Sequence, residues 1–159
     1  MKPSFHKAMK RFRDRSGNVM IEFALGSGIL LAAFTGTFQF GYTFLQYNNL
    51  QNAVARGARF ASLAPYDSLT STASTAFKTK VQNMVLYGST TAGTTPVLPG
   101  LTAANVNFVG AFFDPTLKIP TKMTVSITGY TINSIFASST LTNKPQVTYA
   151  YQGVWSPLP

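Results

Sequence analysis

Residues 15–45 read RSGNVMIEFALGSGILLAAFTGTFQFGYTFL, and this stretch decides the fold. From Asn18 to Leu45 it carries one charge, Glu22, and no Lys or Arg occurs between Arg15 and Arg56. At about 1.5 Å per residue, Val19 to Leu45 makes a helix about 40 Å long. That is enough to cross a hydrocarbon core of roughly 30 Å with some tilt. A soluble domain in a chain of 159 residues rarely contains so long an apolar run. The stretch therefore predicts a membrane segment.

The charge on either side predicts its orientation. Residues 1–17 hold six basic residues (Lys2, Lys7, Lys10, Arg11, Arg13 and Arg15) against one acid, Asp14. Residues 18–159 hold seven basic residues against three acids, which completes the formal net charge of +9. Short segments rich in Lys and Arg stay on the cytoplasmic side. The expected topology is single-pass, with the N-terminus cytoplasmic and everything beyond Leu45 outside. In a bacterium this means an inner-membrane protein with a periplasmic head. A basic tail also fits nucleic acid, but here the membrane segment follows at once, and a juxtamembrane cluster is explained by topology and lipid contact. No nucleic-acid partner is expected. A secretory signal removed whole fits poorly, because its apolar core is usually only about 7–15 residues.

Gly17-Asn18-Val19-Met20-Ile21-Glu22-Phe23 follows the basic leader. The order is Gly, four residues, Glu, aromatic, apolar helix, and it looks like a class III (type IV pilin-like) leader. GNVMIEFAL, the apolar run, and then LQNAVARGARFAS resemble the TadE-like family of tight-adherence (Flp) pilus assembly proteins, over roughly residues 16–62. The resemblance implies a minor pilin or pseudopilin of a Flp (type IVc) pilus assembly or secretion system. It implies cleavage by a prepilin peptidase between Gly17 and Asn18. It marks Glu22 and Phe23 as the Glu–aromatic pair used in assembly. Its partners would be the peptidase, other pilins or pseudopilins, an inner-membrane assembly platform and membrane lipid. Asn18 departs from the pattern, since pilin-type proteins more often have a small or apolar residue there.

Glu22 can be argued from physical chemistry alone. A carboxylate on an apolar helix is costly without a partner. After a cut at Gly17 the new amine of Asn18 would lie one helical turn away, where opposite charges meet. A neighbouring subunit's amine could serve equally. Alternatively, Glu22 lies only about 6 Å into the helix, reaches the interface, and sits in the positive field of the helix start.

Further along, Ala24, Gly28, Ala32 and Gly36 recur every four residues, a spacing that lets another helix approach closely. Phe34, Phe38, Phe40, Tyr42 and Phe44 suit the far interface. Beyond Leu45 the helix turns amphipathic. Tyr47, Leu50, Val54, Ala58 and Ala61 form one face, and Gln46, Asn49, Asn52, Arg56 and Arg59 another. The helix is expected over 18–63, ended by Pro65.

Residues 71–86 predict a shorter helix, with Ala73, Ala76, Phe77, Val81, Met84 and Val85 inward and Gly88 as its stop. Residues 87–103 predict a loop. Strands are expected at 105–109, 122–128 and 146–151, and 132–136 is either a short strand or a helical turn. Met123, Val125 and Ile127 alternate with Thr124, Ser126 and Thr128, so one sheet face should meet water or a partner. Trp155 would anchor the tail.

The predicted class is α+β: a leader at 1–17, a long helix at 18–64 that is transmembrane to about 45, and a small head at 65–159. The head is expected to hold a short helix and an antiparallel sheet. Beyond the membrane the sequence has two carboxylates, Asp67 and Asp114, and no His or Cys. That inventory excludes His- and Cys-based catalysis and Cys/His metal sites there. No enzyme, metal or cofactor is expected. The alternative of a different class is an unprocessed single-pass protein whose head binds an envelope partner.

Overall fold

The computed structural model describes residues 15–68, 70, 72–114, 116, 120–134 and 138–154. The basic residues from Lys2 to Arg13, Asp14, Ser71, Pro115, Ile135, Phe136 and Trp155 fall outside that set. The chain divides into two compact units, Met1–Phe38 and Gln39–Pro159.

Helix α1 spans Arg15–Leu63 and enters both units. It reaches further toward the N-terminus than the expected start at Asn18. Ser16 and Gly17 contain no strong breaker. Glycine costs only about 1 kcal/mol in a helix, and propagation into a long helix-forming run offsets that.

In the first unit the apolar side chains are bare: Ile21, Phe23, Leu30 and Phe34 are each more than 60 % exposed. Three hydroxyls here are satisfied within the helix. Ser27 Oγ donates to the Ala24 carbonyl at 3.0 Å, Thr35 Oγ1 to Leu31 at 2.8 Å, and Thr37 Oγ1 to Ala33 at 2.9 Å. Such back-bonding lets polar side chains sit in an apolar medium without orphaned donors.

In the second unit α1 buries most of the expected stripe. Leu50, Val54, Ala58 and Ala61 are fully buried, Tyr47 is half-buried, and Ala53, not expected there, joins them at full burial. Asn49, Asn52, Arg56 and Arg59 stay exposed. Helix α2 spans Thr75–Tyr87. It begins later than expected because Ser74 is its N-cap, with the hydroxyl accepting from the Phe77 N–H at 3.0 Å. Gly88 stops it as expected, in the left-handed region (φ 71°), and its N–H donates to the Met84 carbonyl. Phe77, Val81, Val85 and Leu86 form the inner face of α2. Ala76, expected inward, is exposed.

The loop after α2 is pinned rather than free. Leu98 and Leu101 are buried in the core, and Tyr130 Oη donates to the Pro99 carbonyl at 3.1 Å.

Among the described residues five strands follow: β1 Val106–Phe113, β2 Pro120–Ile127, β3 Thr131–Asn133, β4 Ser138–Thr140 and β5 Gln146–Ala150. One antiparallel sheet has the order β1-β2-β5, and β3 with β4 makes a two-stranded hairpin. Strand β1 is longer than expected. Its register shifts between Val109 and Ala111, at Gly110, where the period-two pattern breaks. Strand β4 was not expected, since Ser138-Ser139-Thr140 has no apolar alternation.

The Ser/Thr face of β2 departs from expectation. Thr124 is 3 % and Ser126 0 % exposed. As the central strand, β2 is flanked by β1 and β5, whose side chains help shield its short polar ones. Water reaches the flanking Asn107, Gln146 and Thr148 instead.

The core joins α1, α2, β2 and the hairpin in one cluster that includes Met123, Val125, Ile127, Tyr130 and Ile132. This is the α+β architecture expected of the head.

Candidate functional site

The residues around the expected cleavage point lie in the first turns of α1. Gly17 is helical, and Asn18 and Glu22 are exposed one turn apart. Phe23 is 77 % exposed. Ala24, Gly28 and Ala32 are exposed and Gly36 is half-buried, all on one side of the helix by their four-residue spacing. A Cβ built at Gly17, Gly28 or Gly36 would meet no atom within 4 Å. Nothing inside the chain therefore requires glycine there.

Two of the head's glycines behave differently. A Cβ on Gly57 would collide with Val85 Cγ2, and one on Gly153 would stand 2.7 Å from the Ala64 carbonyl oxygen. Gly57 is where α2 crosses α1, and Gly153 is where the chain after β5 passes the end of α1. Periodicity could not reveal either, because both contacts are made by residues distant in sequence.

The end of α1 is held by that returning chain. The Gln152 N–H donates to the Ser62 carbonyl at 2.9 Å, and Tyr151 Oη lies 3.1 Å from the Ala64 carbonyl. These bonds satisfy carbonyls that a helix end leaves without partners. Tyr66 follows, fully buried, edge-on to Phe77 with ring centroids 5.5 Å apart. Its hydroxyl donates to the Thr70 carbonyl at 2.9 Å. Burial, helped by the Asp67 charge, pushes the Tyr66 phenol up to about 12. Burial likewise raises Tyr130 and Tyr151. These phenols are hydrogen-bonding anchors at neutral pH rather than bases. Ser74 Oγ donates to the Asp67 carboxylate, tying the link after α1 to the start of α2.

The polar face of α1 is the floor of a groove of about 570 Å³, lined by Asn49, Asn52, Ala55, Arg56, Arg59, Val97 and Tyr149. The expected Arg56–Arg59 face is thus joined by a tyrosine from β5 and a valine from the loop. The helical spacing of Asn49, Asn52, Arg56 and Arg59 was legible, but Tyr149 and Val97 arrive only through tertiary structure. Among the described residues no cluster of His, Cys, Asp and Glu could hold a metal ion.

Together these features define a class: a long apolar helix able to cross a membrane, continuous with the first helix of an α+β head. Residues 17–59 match the family model described as TadE-like protein, so the chain carries a TadE-like segment over about a quarter of its length. The match covers most of the stretch on which the resemblance rested. No curated protein and no solved structure matches the chain. The family match points to Tad pilus assembly, to interaction with other pilus components, and to a structural role in a membrane-anchored protein.

Proposed function

We propose that the protein is a minor pilin or pseudopilin-like component of a tight-adherence (Flp, type IVc) pilus assembly or secretion system. A prepilin peptidase cuts it between Gly17 and Asn18. The apolar helix holds it in the bacterial inner membrane, with the N-terminus cytoplasmic and the head periplasmic. The observation that carries this reading is the Gly17–Glu22–Phe23 pattern at the start of a bare apolar helix, inside the TadE-like segment. A helix with bare apolar side chains needs lipid or neighbouring helices around it. The stripe of Ala24, Gly28, Ala32 and Gly36 supplies a surface for such neighbours. Glu22, one turn from the amine that cleavage would create on Asn18, supplies a charge partner for that amine or for a neighbour's.

One observation favours the second reading, an unprocessed single-pass anchor whose head binds an envelope partner. The backbone is helical across the Gly17–Asn18 bond. A peptidase needs that bond unwound. Beside a glycine, unwinding costs less than in an alanine-rich turn, because glycine weakens a helix by about 1 kcal/mol.

The test is intact mass and N-terminal sequencing of the protein from native membranes, with and without Gly17→Trp. A mature chain beginning Asn-Val-Met-Ile-Glu, absent in the mutant, is expected. A chain that keeps residues 1–17 removes the pseudopilin mechanism and leaves the unprocessed anchor.

A further inference from the structure

The groove on the polar face of α1 has the charge and shape of a docking site, and we infer that it receives an acidic, extended segment of a partner protein. This inference deepens the proposed assembly role and rests on it for the identity of the compartment. Asn49, Asn52, Arg56 and Arg59 run along one helix face for about 15 Å, the length of four or five extended residues. Both arginines are exposed, and no carboxylate lines the groove among the described residues. The far wall is Tyr149, 41 % exposed, on β5. Strand β5 pairs only with β2, so its outer edge is unpaired among the described residues. An unpaired edge is a template for one further strand, and its alternate side chains would face the arginines.

Charge selects among occupants. The whole chain has four carboxylates against thirteen basic residues, and Asp67 is already engaged by Ser74. A second copy therefore offers little to match two arginines, and it repels through the positive balance of residues 18–159, seven basic residues against three acids. Lipid phosphate is disfavoured by distance. Arg56 lies about 16 Å along the helix beyond Leu45, whereas the headgroup layer adds only roughly 5–8 Å to each side of the hydrocarbon core. Bidentate Arg–carboxylate pairing suits both side chains.

The test uses the full chain in detergent micelles and a short fluorescent peptide of alternating Asp and Thr as probe. Binding is expected to weaken roughly tenfold or more in Arg56→Gln/Arg59→Gln and to survive in part in Arg56→Lys/Arg59→Lys. An equal charge loss elsewhere, Lys78→Gln/Lys80→Gln on α2, should leave it unchanged. Thermal melting confirms that each variant is folded. Equal loss in the α2 variant, or none in the groove variant, overturns the inference. So does arginine-dependent binding of phosphatidylglycerol vesicles with no binding of the peptide, or arginine-dependent self-association. None of these outcomes depends on whether Gly17–Asn18 is cut, so failure of the groove and failure of the pilin reading are separable.

Discussion

The Tyr66 N–H donates to Tyr151 Oη at 2.9 Å, across 85 residues of sequence. The same oxygen lies 3.1 Å from the Ala64 carbonyl and 3.0 Å from the Val154 carbonyl, so one hydroxyl ties the end of α1 to the chain after β5. Tyr151→Phe removes an acceptor and a donor together while keeping the ring that packs near Tyr66. It should destabilise the head by about 1–3 kcal/mol, the cost of leaving partly buried backbone groups unpaired. Urea unfolding followed by circular dichroism measures this, and an unchanged midpoint would remove the clamp.

Gly57 is required by the α1–α2 crossing. In an ordinary helix interior, Gly→Ala stabilises by about 1 kcal/mol. Here the added methyl meets Val85 Cγ2, and overpacking costs roughly 1–3 kcal/mol. Gly57→Ala should therefore lower the melting temperature, and Gly57→Ala/Val85→Ala should relieve the clash in a double-mutant cycle. A Gly57→Ala protein more stable than the parent contradicts the close crossing.

Alkaline unfolding should report on Tyr66. Its phenol is raised to about 12 in the folded head by burial and by Asp67, against about 10 when unfolded. Between these values the unfolded state has lost a proton that the folded state keeps, so stability falls as pH rises. The contribution is fully present below pH 10 and amounts to about 2–3 kcal/mol, lost by pH 12. Tyr130 and Tyr151 shift in the same direction. The advantage of the parent over Tyr66→Phe should therefore shrink across this window. Parallel stability curves for the two proteins would count against the burial account.

Ser126 and Thr124 lie on the same strand, β2, but differ in partners. Thr124 Oγ1 lies 2.8 Å from Thr148 Oγ1, whereas Ser126 Oγ is buried with no partner among the described residues. Ser126→Ala should be neutral or stabilising by about 1 kcal/mol, because an unpaired buried hydroxyl carries its desolvation cost in the folded state. Marked destabilisation on chemical unfolding would show that the hydroxyl is satisfied.

Gly28 is exposed, and a side chain added there meets no atom within 4 Å. Gly28→Leu should leave the head's unfolding free energy within about 0.5 kcal/mol of the parent. If the small-residue stripe packs against neighbouring helices, the same substitution should reduce surface pili counted by electron microscopy. Undiminished pili would remove the stripe from assembly.

The sequence by itself determined the long helix, its division into a bare apolar half and an amphipathic half, and its stop near Pro65. These follow from hydropathy, period and proline sterics, which act over a few residues. It also marked the Gly17–Glu22–Phe23 pattern, the α2 stop at Gly88 and the alternation in β2 and β5. Tertiary structure alone decided that Ala76 faces out, that Thr124 and Ser126 are buried, and that Ser138–Thr140 pairs with Thr131–Asn133. It alone brought Tyr149 and Val97 to the arginine face, and Gly57 and Gly153 to their close contacts. The physical reason is common to all of these. Each depends on which distant segment lies opposite, and a local pattern carries the preference of a residue for burial without naming what covers it.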